Sequence, residues 1–228
     1  MPGKKVQFQA NGSTTEGYLA APAGGSGPGV IVIQEWWGLV PHITDVADRF
    51  AAEGFVALAP DLYHGQSAEE PDDAGKLMMA LDIDRVAKDL RGASRYLLDE
   101  GGASGNAVGV VGFCMGGQLA LYAATVAPDT IGAVVDFYGI HPSVNPDLDQ
   151  LKAPVMGNFA ELDEYAPPAA VATLEEQIKQ RGVETDFKIY EGADHAFFND
   201  ERAEVHKPEA SQDAWQRTVG WFKKHLHI

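Results

Sequence analysis

Two hydrophobic periods take turns along this chain. Gly29-Val30-Ile31-Val32-Ile33-Gln34 is an unbroken apolar run, the pattern of a strand buried on both faces of a parallel sheet. Residues 41–53 follow with apolar positions at helical spacing, Val46 and Phe50 among them, until Gly54 ends the pattern. The exchange then repeats. A strand over 55–59 stops at Pro60, and 68–100 is mostly helical, with Val86, Leu90 and Leu97 on a roughly 3.6-residue period. A third core strand over 107–112 leads into an apolar helix over 117–127. Further strands are predicted at 131–137, 153–159 and 183–190, and helices at 167–181 and 208–226, each with Pro near its start. Ahead of all this, 6–10 and 16–20 flank Asn11-Gly12 and read as an antiparallel hairpin, followed by a Gly/Pro/Ser linker over 21–28. Strand and helix alternating from residue 29 onward predict a mostly parallel sheet covered on both faces, in one α/β domain over residues 1–228. No repeat, low-complexity tract or composition break marks a second domain.

Charge narrows the partners. The 33 acidic residues against 17 basic give a net charge of −16, which argues against nucleic acid and against an anionic membrane surface, both of which bind clustered Lys and Arg. A carboxylate-bearing ligand would need a basic group close at hand. The single cysteine excludes an internal disulfide, a CxxC redox pair and a zinc knuckle. No secretory leader pattern opens the chain and no apolar run reaches membrane-spanning length, so residence in the cytoplasm is expected. Nothing calls for a metal or an organic cofactor. The expected partner is a small molecule, met by a monomer or a small homo-oligomer.

The most informative residues are Gly112-Phe113-Cys114-Met115-Gly116, with Val108-Gly109-Val110-Val111 before and an apolar helix after. This is a strand–turn–helix with a nucleophile at its apex. The turn is so sharp that a β-carbon two residues to either side would clash. The apex side chain projects from the carboxyl edge of the sheet, and the N–H groups opening the helix point at the same spot, where they stabilise a thiolate or an oxyanion. A free Cys is otherwise most often a small buried hydrophobe, so the motif gains its meaning from the strand and helix around it.

A cysteine nucleophile needs a base, and the base needs a group to fix its tautomer. Of seven histidines, His42 and His64 precede the elbow, His141 follows an intermediate strand, and His206, His225 and His227 lie in or near the last helix. His195 alone sits just after the last predicted strand, in Gly192-Ala193-Asp194-His195-Ala196-Phe197-Phe198. For the acid, the strand over 153–159 runs into a loop carrying Glu161, Asp163 and Glu164. Asp163 is favoured because it lies just before a helix starting at Pro167-Pro168, with Glu161 and Glu164 as alternatives. Glu35 ends a core strand at the same edge, where a solvated charge is ordinary and a partner is plausible. Trp36, Trp37, Phe197 and Phe198 suggest an aromatic wall for a compact apolar group, although aromatics at strand ends more often belong to the core.

These residues resemble a dienelactone hydrolase-type protein. The matching features are Val32-Ile33-Gln34-Glu35, Ala59-Pro60-Asp61-Leu62-Tyr63, Gly112-Phe113-Cys114-Met115-Gly116-Gly117, Phe137-Tyr138-Gly139, the Asp163 loop and His195-Ala196-Phe197. The resemblance implies the α/β-hydrolase fold and a Cys114–His195–Asp163 triad attacking an ester or lactone carbonyl. It implies an oxyanion held by the backbone N–H groups of Met115 and Trp36, and a Glu35 that holds the resting thiol unreactive until substrate displaces it. Tyr138, Phe197 and Arg202 become candidates for substrate contact. One departure stands out. The family clamps a substrate carboxylate with two arginines, one of them four residues after the histidine, where this chain has Asn199. Residues 64–75, where the other belongs, hold no arginine, and Arg202 is the available substitute. A general ester or lactone is therefore as well supported as a dienelactone. A non-catalytic, redox-responsive protein on the same scaffold is the competing class, and it would not require all three triad residue types in order.

Overall fold

Alternate residues of the central strand face opposite ways, and two apolar layers form around them. In the computed structural model, which describes residues 2–10 and 12–226, Ile31 and Ile33 pack into one layer while Val30 and Val32 pack into the other. Eight strands make one sheet: β1 (Lys4–Gln9), β2 (Thr14–Ala20), β3 (Gly27–Ile33), β4 (Val56–Pro60), β5 (Ala103–Phe113), β6 (Ile131–Phe137), β7 (Val155–Ala160) and β8 (Thr185–Tyr190). Their spatial order is β1-β2-β4-β3-β5-β6-β7-β8. The β1–β2 and β2–β4 pairs are antiparallel, and every other pair is parallel. The expected hairpin is present, although Asn11 of its turn, like His227 near the C-terminus, lies outside the described residues.

Six helices cover the sheet: α1 (Pro41–Ala52), α2 (Pro71–Met79), α3 (Ile83–Asp99), α4 (Met115–Val126), α5 (Pro168–Lys179) and α6 (Pro208–His225). Four of them begin at Pro, whose missing N–H has no acceptor to lose in the first turn. Phe50 and Phe222 bring α1 and α6 into one layer, while Leu90, Leu97, Leu119 and Ile178 bring α3, α4 and α5 into the other. Helix α4 is apolar nearly all round because almost all of it is buried.

Two expectations change. The helical stretch 68–100 is two helices, because the Asp82 side chain accepts the Arg85 N–H at 3.1 Å and caps a new start. The linker over 21–28 ends earlier than its composition suggests: Gly27 and Pro28 already pair with Ala103 and Ser104, ahead of a shift in register before Val30. No helix among the described residues is long and apolar enough to cross a membrane.

Candidate active site

The carboxyl ends of the parallel strands share one edge, and the polar residues singled out in the sequence gather there. In open α/β sheets this is where ligands bind. Residues 34–36 follow β3, Cys114 follows β5, Tyr138 follows β6, Asp163 follows β7 and His195 follows β8.

The elbow has the strain its sequence implies. Cys114 has φ 56° and ψ −125°, a left-handed conformation that costs a non-glycine residue about 1–3 kcal/mol. Its N–H bonds the Phe137 carbonyl at 3.0 Å, and its carbonyl takes the Gly117 N–H at 2.9 Å. A β-carbon on Gly112 would fall onto the Gly116 carbonyl, one on Gly116 onto the Gln34 carbonyl, and one on Gly117 within 2.6 Å of the Gly139 Cα. Four non-glycine residues among those described have left-handed φ, His64, Cys114, Tyr138 and Ala196, and each follows the carboxyl end of a parallel strand. Beneath the elbow, burial pushes the Asp136 carboxyl up to about 7, against the opposing pull of the Gly139 N–H at 2.7 Å.

Asp163 and His195 meet. Nδ1 of His195 lies 2.8 Å from Oδ2 of Asp163, while Oδ1 accepts the N–H groups of Tyr165 and Ala166 at 2.8 and 3.0 Å. Burial alone would raise the Asp163 carboxyl. The bond and charge of His195 and the two N–H groups outweigh it and hold Asp163 below its usual range. Burial likewise opposes charge on His195, but the hydrogen bond and negative charge of Asp163, with Cys114 close by, raise the ring to about 10. The ring is held between Tyr138 and Tyr165, with centroids 5.1 and 5.0 Å away. Of the alternative acids, Glu161 turns away to accept the Gly192 N–H at 2.7 Å, and Glu164 is exposed.

Glu35 is 1% exposed rather than solvated. Its Oε2 accepts the Asn199 side-chain N–H at 2.9 Å, and its Oε1 is buried without a partner. Asn199, the residue standing where an arginine was expected, thus holds the carboxylate through a neutral amide. The sequence pointed to the position and gave no sign of the contact. The peptide N–H of Trp36 meets no acceptor among the described residues, and that of Met115 opens α4, where no intrahelical acceptor exists.

Cys114, His195, Glu35, Trp36, Trp37, Tyr165 and Arg202 line a cavity of about 600 Å³. That volume lies within the usual range for small-molecule sites. Tyr138, Phe197 and Phe198 do not line it. All three are buried at 1% exposure or less in the aromatic layer behind the site, where Tyr138 stacks edge-on against Phe197. Their apolar bulk draws them into the core and leaves the walls to Trp36, Trp37 and Tyr165. Tyr165 escaped notice in the sequence because the three acids around it dominate that loop. Arg202 reaches the cavity with Nε and Nη2 on Oε1 of Glu204, at 2.9 and 2.8 Å.

Comparison with known proteins places these features in company. The model of the dienelactone hydrolase family matches residues 15–226. The protein named usf of Aquifex pyrophilus is 43% identical over 230 residues, covering 98% of this chain and 99% of its own. A protein of Aquifex aeolicus, provisionally named carboxymethylenebutenolidase, is 36% identical over 98% of this chain and 99% of its own. Among solved structures, a provisionally assigned dienelactone hydrolase from Klebsiella pneumoniae superposes with a TM-score of 0.85 at 29% identity, covering 96% of this chain and 98% of its own.

Proposed function

The chain belongs to the dienelactone hydrolase family, and from that premise we propose that it hydrolyses carboxylic esters or lactones through a Cys114–His195–Asp163 triad. The observation that carries this reading is the His195 ring, bonded through Nδ1 to Asp163 at 2.8 Å and lining one cavity with Cys114. The name given to the Aquifex aeolicus relative fits a lactone among the substrates.

In this reading His195 takes the thiol proton and Cys114 attacks the carbonyl carbon. The oxyanion forms against the N–H groups of Met115 and Trp36, fixed donors that need no reorganisation as charge develops. Collapse breaks the C–O bond, His195 protonates the departing alkoxide, and a thioester remains. A water that gives its proton to His195 then attacks the thioester. The acid is released, the sulfur leaves as thiolate, and it recovers its proton from the ring. For a lactone the alcohol and acid stay in one molecule. Trp36, Trp37 and Tyr165 supply an apolar wall beside the reacting carbonyl.

Glu35 acts in this reading as a restraint on the resting thiol. Its unpartnered Oε1 and its position in the cavity wall beside Cys114 suit a carboxylate that substrate pushes aside. Two measurements test these roles. Wild-type protein should hydrolyse short p-nitrophenyl esters, and Cys114→Ala should lose at least about 10³-fold in kcat/KM, as loss of a triad nucleophile does. A fully active Cys114→Ala protein rules the mechanism out, and a wild type inert on esters and lactones alike favours the non-catalytic class. Glu35→Gln should raise the rate at which iodoacetamide labels Cys114. An unchanged rate removes the restraint.

A further inference from the structure

The cavity carries two carboxyl groups against one guanidinium and the His195 ring, whose positive charge is already matched by Asp163. Glu35 and Asp194 both line it, and among its described lining residues Arg202 is the single arginine or lysine. That arginine is occupied. Nε and Nη2, the side-on edge of the guanidinium fork, both meet Oε1 of Glu204, at 2.9 and 2.8 Å. The pairing is built into one turn, in which the N–H groups of Val205 and His206 bond back to the Arg202 carbonyl at 3.1 and 3.0 Å. The rest of the wall is largely apolar, with Trp36, Trp37, Met78, Ile140 and Val205.

We propose that Glu204 masks Arg202, so that the site selects uncharged esters and lactones over those bearing a carboxylate. This rests on the ester-hydrolase reading above and names its substrate class. A substrate carboxylate that claims the side-on edge must displace Glu204, so it exchanges one charge-assisted contact for another. It gains little by the exchange, and it enters a cavity where Glu35 and Asp194 already present negative charge. The net charge of −16 acts in the same direction at long range, but salt screens that contribution, whereas the local one survives.

The Arg202–Glu204 pair is partly exposed at both ends, 36% and 63%, and pairs of that kind are worth about five-fold or less in an equilibrium. That bounds the effect of removing the mask. The test compares kcat and KM for two esters that differ only at the acyl end, p-nitrophenyl butyrate and mono-p-nitrophenyl succinate. Wild type should prefer the butyrate in kcat/KM. Glu204→Gln should narrow that preference by about three- to five-fold, through a lower KM for the succinate. Arg202→Met placed on top of Glu204→Gln should restore it. A wild type that treats the two esters alike overturns the proposal, as does a ratio that Glu204→Gln leaves unmoved. General damage to the fold lowers both rates together and leaves the ratio where it was. Failure of wild type to turn over either ester removes the hydrolase reading itself, and this proposal with it.

Discussion

Both oxygens of Asp163 are engaged, one by two peptide N–H groups and the other by the His195 ring, so this carboxylate has no geometry left to explore. The pairing has a signature in pH. The folded His195 ring titrates at about 10 rather than 6.5, so its contribution to stability is complete below pH 6.5 and fades as pH climbs toward 10. Asp163 is held below its ordinary 3.8, so its contribution is present above that value and lost as pH falls beneath it. Asp163→Asn should therefore lower Tm most between pH 4 and 6.5, with the deficit shrinking toward pH 10. A deficit that stays flat from pH 5 to 10 would show that the pair does not titrate this way. At this scale residue type and chain order were a good guide to placement: Cys114, Asp163 and His195 gather at one edge, with Asp163 bonded to His195. They were a poor guide to burial. From its own context Glu35 was either a solvated strand end or a residue with a partner, and the structure places it inside, held by Asn199 from 164 positions away. Local composition carries no trace of a contact that distant.

Among the elements, the turn from β5 into α4 sets the strictest demand on sequence. A β-carbon at Gly112 meets backbone, the carbonyl of Gly116, which cannot rotate aside as a side chain would. Gly112→Ala should destabilise the protein by about 3 kcal/mol, the upper part of the range for overpacking. Gly75, inside α2, has open space where its β-carbon would go. Gly75→Ala should be neutral or stabilise by up to about 1 kcal/mol. Urea unfolding of the two variants checks the contrast, and equal effects would mean that close packing at the elbow is not what requires glycine. The spacing of glycines made this turn legible before any coordinates. The break between α2 and α3 was not, because Ala80 and Leu81 continue an apolar pattern and the signal that matters is one Asp82 side chain turning back to cap Arg85.

For the molecule as a whole, alternation of strand and helix gave a parallel sheet, and the apolar runs told which strands are buried. Their lateral order was not legible. Period-2 alternation fixes which face a residue takes but says nothing about neighbours, so the seating of β4 between β2 and β3 follows from the packing of both layers rather than from any motif. The same order has a consequence for a growing chain. The strand leading into Cys114 lies at the middle of the sheet, while the loops supplying Asp163 and His195 belong to the last third of the sequence. Synthesis runs from the N-terminus, so the sulfur emerges from the ribosome some eighty residues ahead of its imidazole, roughly 4–16 seconds at ordinary elongation rates. Under the proposed triad, the nascent chain carries for that interval a thiol still without its base.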